Sequence, residues 1–176
     1  MDSTASAIAP AAVDSPTSFA IKPLSEEWTF EVEEFWWACQ DDDLNTVNNL
    51  LENFPCMPLT VPDRNGVPPL YAASFYSSNS VLSLLLSSYH EFIDVNQQNF
   101  IGCTSLHACC TSGNLEGVKL LLRQNADLGM PNFHGITPLA MAEHHKHSHI
   151  IEYLRAQGLI VKREKGEMTQ YRLLEE

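Results

Sequence analysis

The sequence predicts an all-α fold, a solenoid of stacked helix-turn-helix units joined by hairpin-like loops. Two observations predict it. Three segments align on one another: NGVPPLYAASFYSSNSVLSLLL from Asn65, IGCTSLHACCTSGNLEGVKLLL from Ile101 and HGITPLAMAEHHKHSHIIEYL from His134. Their glycines, Gly66, Gly102 and Gly135, stand 36 and 33 residues apart, and Leu70, Leu106 and Leu139 repeat both intervals. A fixed period of this size marks a repeat architecture. The second observation is that each unit carries two helical segments around a break.

The middle unit shows the pattern best. Gly102 suits a turn that needs positive φ. Thr104 then caps a short helix, with Ser105 as its first residue. Its apolar side is thin, Leu106, Ala108, Cys109 and Cys110, so neighbouring helices can approach closely. Ser112-Gly113-Asn114 breaks the chain, and a second helix follows with Val118, Leu121 and Leu122 on its apolar side. Asn125-Ala126-Asp127 ends that helix and starts a loop. The third unit uses Thr137 and Pro138 at the same cap. The first has Leu70, Ala72 and Ala73 but Pro68 in place of the threonine, so an irregular helix start is expected. Its three extra residues are placed near His90, Glu91 and Phe92, in a link where insertions cost little.

These units resemble the ankyrin repeat, G-x-T-P-L-H-x-A-A-x-x-G-x-x-x-V-V-x-x-L-L-x-x-G-A-D. The second unit matches down to His107, Gly113, Val118 and Ala126-Asp127; the third matches at Gly135, Thr137-Pro138-Leu139, Ala142, Leu154 and Gly158. Lys146 and Ser77 stand where glycine is usual. The resemblance implies a structural role for His107, its ring bonding the backbone of the neighbouring turn.

In chain order, residues 1–24 are rich in Ala, Ser, Thr and Pro and are expected to be a disordered tail. Phe19, Ile21 and Leu24 form an apolar island there, either loose or docking on the array or a partner. Residues 25–160 form the repeat domain. Trp28, Phe30, Val32, Phe35, Trp36 and Trp37 are expected to cover its open N-terminal end, the alternative being an aromatic anchor for a partner. A degenerate capping unit (31–62) includes Phe35–Phe54 and has lost its leading turn. Repeats at 63–98, 99–131 and 132–160 follow. In the C-terminal extension, 161–176, Lys165-Gly166 either turns a small hairpin or lies in a frayed helix.

Composition bounds the function. The chain has 176 residues, 44% of them hydrophobic, and a net charge of −12. Residues 1–60 hold eleven acids against one base, residues 61–158 seven against five, and residues 159–176 four of each. An acidic N-terminal third repels phosphate backbones and attracts a basic protein, or simply keeps the chain soluble. Nucleic acid is therefore not an expected partner. No run of about 18 apolar residues suggests a membrane span. Five cysteines, Cys39, Cys56, Cys103, Cys109 and Cys110, include no CxxC pair. They fit buried free thiols in a reducing compartment, cytoplasm or nucleus.

Nothing points to catalysis or to a cofactor. There is no GxSxG elbow, glycine-rich phosphate loop or HExxH. Asp41-Asp42-Asp43 reads as a solvated turn between helices. His144, His145, His147 and His149 cluster, but the repeat breaks at Lys146-His147, which separates His145 from His149. Exposed or capping histidines are expected there rather than metal ligands.

In the ankyrin family the binding surface comes from loop tips and exposed first-helix positions. On this chain the resemblance implies Asn65, Val67, Phe75 and Tyr76; Phe100, Ile101, Cys103, Thr111 and Ser112; Phe133, His134, Ile136, His144 and His145; and Gln40 and Asp41 from the cap. Aromatic and aliphatic residues at such positions mark an interaction site. The expected function is a monomeric, non-catalytic binder of another protein: adaptor, inhibitor or chaperone-like. Self-assembly, or metal binding through the histidines, are the alternatives.

Overall fold

The computed structural model describes residues 30–53, 59–60, 62–63 and 66–157. Among these, eight α-helices pair into four hairpins: α1 (Phe30–Asp41) with α2 (Leu44–Asn53), α3 (Pro69–Phe75) with α4 (Asn79–Ser88), α5 (Ser105–Ser112) with α6 (Leu115–Arg123), and α7 (Pro138–His144) with α8 (Ser148–Ala156). The described residues contain no β-strand. The first helices stack in one row, α3 between α1 and α5, and α5 between α3 and α7; α4 and α6 continue a second row. The tail at 1–24, Trp28, Asn65, Cys56, Gly158 and the extension at 161–176 lie outside the described residues.

Small side chains let the first row close up. Ala73, Ala108, Cys109, Cys110 and Ala142 are fully buried, and Val47, Leu82, Leu85, Leu106, Leu121 and Ile150 fill the space between the rows. Burying each of those larger side chains is worth roughly 1.5–3 kcal/mol. Burial pushes the thiols of Cys39, Cys109 and Cys110 up, which keeps them protonated and inert. The three residues that lengthen the first repeat, His90–Phe92, make one 3-10 turn after α4.

Every hairpin turns on a residue at positive φ: Asp42 at 56°, Ser77 at 64°, Gly113 at 82° and Lys146 at 60°. A side chain in this region costs about 1–2 kcal/mol. Lys146→Gly and Ser77→Gly are therefore expected to raise stability by about 1 kcal/mol and the thermal midpoint by roughly 2–8 °C. Asp42→Gly relieves the same backbone but should destabilise. Its carboxylate accepts from the Val81 N–H at 3.0 Å and the Ser80 hydroxyl at 2.9 Å, capping the α4 that Ser78 leaves uncapped. Thermal melts of the three variants check both signs. The acidic run is thus built into the fold: Asp43 caps α2 by accepting from the Thr46 N–H and hydroxyl, bonds that hold its carboxyl below the usual range.

Neighbouring hairpins are also joined by the residue just after each of the positive-φ positions Ser77, Gly113 and Lys146. Ser78 Oγ donates to Gln40 O at 2.7 Å, Asn114 Nδ2 to Ser74 O at 3.4 Å, and the His147 ring meets Thr111 O at 2.9 Å.

Candidate protein-interaction surface

The loops that precede α3, α5 and α7 share one design. In each, a side-chain oxygen three residues before the glycine holds the turn. Asp63 Oδ1 accepts from Val67 N, Asn99 Oδ1 from Ile101 N and Cys103 N, and Asn132 Oδ1 from His134 N and Ile136 N. The same residues pair through the backbone, Asp63 N–H to Val67 O, Asn99 N–H to Cys103 O and Asn132 N–H to Ile136 O. These are the expected hairpin-like loops. Their oxygen anchors, Asp63, Asn99 and Asn132, follow the glycine intervals, a signal that sequence reasoning missed.

A second repeated position fixes each loop from the preceding helix. His107 is buried; its Nδ1 accepts from the Thr104 N–H at 3.0 Å, which leaves Nε2–H to donate to Ile136 O at 3.0 Å. Burial lowers its pKa. Trp36 occupies the matching position in the capping hairpin, and its Nε1–H donates to Val67 O at 3.1 Å. Tyr71 occupies it in the first repeat, with the Asn99 side chain beside its hydroxyl. Trp36 and His107, two unlike side chains, thus hold the equivalent carbonyl of the next loop. Sequence reasoning found it for His107 alone, because only histidine is the repeat's usual residue there.

The loop tips carry the exposed phenylalanines. A Cβ on Gly66 would stand 3.2 Å from Phe100 Cβ, and one on Gly102 would stand 2.5 Å from the Phe133 ring. Each ring thus lies over the glycine of the preceding loop, yet Phe100 is 65% and Phe133 69% exposed. Ile136 is exposed and Ile101 half-buried beside them. At the capping end, Val67, Phe75 and Tyr76 come together with Trp36, Asp63, Tyr71 and Ala72 around an open groove of about 260 Å³. Phe75 and Tyr76 meet edge-to-face at 5.3 Å. Trp36 and Tyr71 were not among the expected surface positions.

Other expected positions fall differently. Cys103 is a correction: it is 2% exposed, and its Sγ accepts from Asn132 Nδ2 at 3.4 Å. The Asn99 anchor turns it inward. Thr111 is half-buried with its hydroxyl on His107 O, whereas Ser112, His134, His144 and His145 are exposed. Gln40 is half-buried, with its carbonyl taken by Ser78, and Asp41 is exposed. Of the apolar residues expected to cover the N-terminal end, Phe35 is buried and Val32 packs on the core, but Phe30 and Trp37 stand exposed. The histidine cluster splits as its break implied. His147 and His149 hold Thr111 O and Gly113 O of the neighbouring hairpin at 2.9 and 3.0 Å. Among the described residues no group of three His, Cys, Asp or Glu side chains is arranged to hold a metal ion.

Comparison with known proteins places this architecture. A family model for ankyrin repeats, in three copies, matches residues 35–132. The chain belongs to the ankyrin-repeat family. The α7–α8 hairpin, with its Asn132-anchored loop, continues the ankyrin array beyond the matched segment. Ankyrin relatives include a probable 26S proteasome regulatory subunit p28 of Saccharomyces cerevisiae, 28% identical over 71% of this chain and 55% of that protein. The B-cell lymphoma 3 protein homolog of Mus musculus is 34% identical over 52% of this chain and 19% of its own length. The tyrosine-protein kinase HTK16 of Hydra vulgaris is 31% identical over 62% of this chain and 14% of that protein. The chain spans little more than half of the first of these and far less of the others. No helix among the described residues is long and apolar enough to cross a membrane.

Proposed function

We propose that the chain is a non-catalytic protein-binding module that grips a partly basic partner along its loop tips and first-helix face. One observation carries this reading: Phe75, Tyr76, Phe100 and Phe133 stand in solvent on one side of a scaffold whose described buried side-chain polar atoms all have hydrogen-bond partners. Exposed rings at the loop tips and at the end of α3 supply affinity. The acidic capping end supplies steering. The relatives share the scaffold and carry unlike names, so the scaffold itself names no partner. An adaptor, inhibitor or chaperone-like role, as a monomer in cytoplasm or nucleus, is the corresponding biological setting.

The test replaces Phe75, Tyr76 and Phe100 with Ser. Helical circular dichroism should be retained, because all three are exposed. Loss of the proteins co-purified with the parent chain is expected, and unchanged co-purification refutes the surface. Sizing at several concentrations separates a monomeric binder from a self-associating one.

A further inference from the structure

The groove at the capping end narrows that reading to a ligand. Its volume, about 260 Å³, is below the roughly 300–1,000 Å³ of sites that enclose a drug-sized molecule. It suits one long side chain. It is lined by four aromatic residues, Trp36, Tyr71, Phe75 and Tyr76, with Asp63, Val67 and Ala72. Tyr71 and Phe75 lie nearly parallel, 7° apart with centroids at 6.3 Å, and Tyr76 stands edge-on to Phe75. Aromatic faces attract cations. The chain uses that attraction internally, with Lys119 Nζ 5.7 Å from the Tyr153 ring centroid. Burial pushes the Tyr71 hydroxyl up to about 12, so the ring stays neutral.

The surrounding sequence is strongly acidic. Residues 30–118 contain eleven acids, and Arg64 is their one arginine or lysine. Such a field draws a cation and rejects an anion. Guanidinium is planar, weakly hydrated and stacks on rings, whereas ammonium is compact and strongly hydrated.

We propose that the groove receives an arginine side chain from an extended basic segment of a partner protein, stacked on the Trp36, Tyr71, Phe75 and Tyr76 rings beside Asp63. This rests on the chain being a protein binder.

The test titrates the ¹⁵N-labelled full chain with the peptide acetyl-Gly-Gly-Arg-Gly-Gly-amide, its citrulline isostere and its lysine analogue. The arginine peptide should move the Trp36 indole N–H and the Val67 and Tyr71–Tyr76 amides. It should bind about tenfold more tightly than the citrulline peptide and more tightly than the lysine one. Tyr76→Ala should weaken it several-fold, and Trp36→Phe serves as a second variant that keeps a ring in place. Shifts scattered over the acidic surface, unchanged binding by Tyr76→Ala, or equal binding of the three peptides would overturn the proposal. So would contacts from residues 19–28 to Trp36 and Tyr76, which would assign the groove to the chain's own N-terminal segment. Concentration-dependent groove shifts without peptide would overturn it in favour of a second copy. If Phe75, Tyr76 and Phe100→Ser removes native partners while the arginine peptide leaves the groove unmoved, the binding surface stands and the arginine falls.

Discussion

Gly102→Ala is expected to loosen the last helical hairpin from the array. Gly102 sits at φ 80°, and a Cβ there would meet the Phe133 backbone nitrogen at 2.6 Å as well as its ring. The backbone term costs about 1–2 kcal/mol. The overlap adds about 1–3 kcal/mol, because Phe133 N–H is held by Ile101 O and cannot simply withdraw. Gly135→Ala provides the control: its φ is 75°, but nothing lies within 4 Å. Only the backbone term applies there. Denaturant unfolding should rank Gly102→Ala well below Gly135→Ala. Hydrogen exchange should show α7 and α8 opening first, since repeats are coupled mainly to their neighbours. Equal losses for the two variants would contradict the contact between loops.

His107→Ala should be nearly as costly. It leaves the Thr104 N–H and Ile136 O without their partners and opens a hole in a buried position. Together these effects amount to about 2–5 kcal/mol. His107 also gives stability a pH dependence. Its folded pKa lies below the ordinary value of 6.5 because burial disfavours the imidazolium. The unfolded chain therefore binds more protons at mildly acidic pH, and this contribution, complete above about 6.5, is lost as pH falls from there through the lower folded pKa. Urea unfolding of the parent and of His107→Gln, at pH 7.5 and 5.5, isolates it. The gap between the two proteins should narrow at the lower pH. A constant gap would mean that the ring is not held neutral.

The helical hairpins were legible because Gly and Leu recur at fixed intervals and the second helices carry apolar residues at helical spacing. The break at Lys146 was legible from its neighbours even though lysine is a poor choice for positive φ. The site was legible only in part. Loop-tip phenylalanines announce themselves by sitting where polar residues would serve. Cys103 did not, because its burial depends on Asn99 closing the turn and on Asn132 reaching its sulfur. Trp36 and Tyr71 were missed for a related reason. A groove between two hairpins is made by side chains about 35 positions apart, and no local pattern reports that they meet.

The bonds across the hairpin turns all run in one direction. Ser78, Asn114 and His147 reach back to carbonyls of the hairpin before them. On a ribosome, each acceptor emerges before the residue that needs it, so along this edge the nascent chain can assemble in the order of its synthesis. Along this edge, trimming from the carboxyl end back to Ile136 strands only acceptors, which water satisfies readily, and leaves His107 Nε2–H its Ile136 carbonyl. Trimming from the amino end strips Ser78 of its receiving carbonyl and the α4 N-terminus of the Asp42 carboxylate, so viable shortened versions should keep their beginning and lose their end.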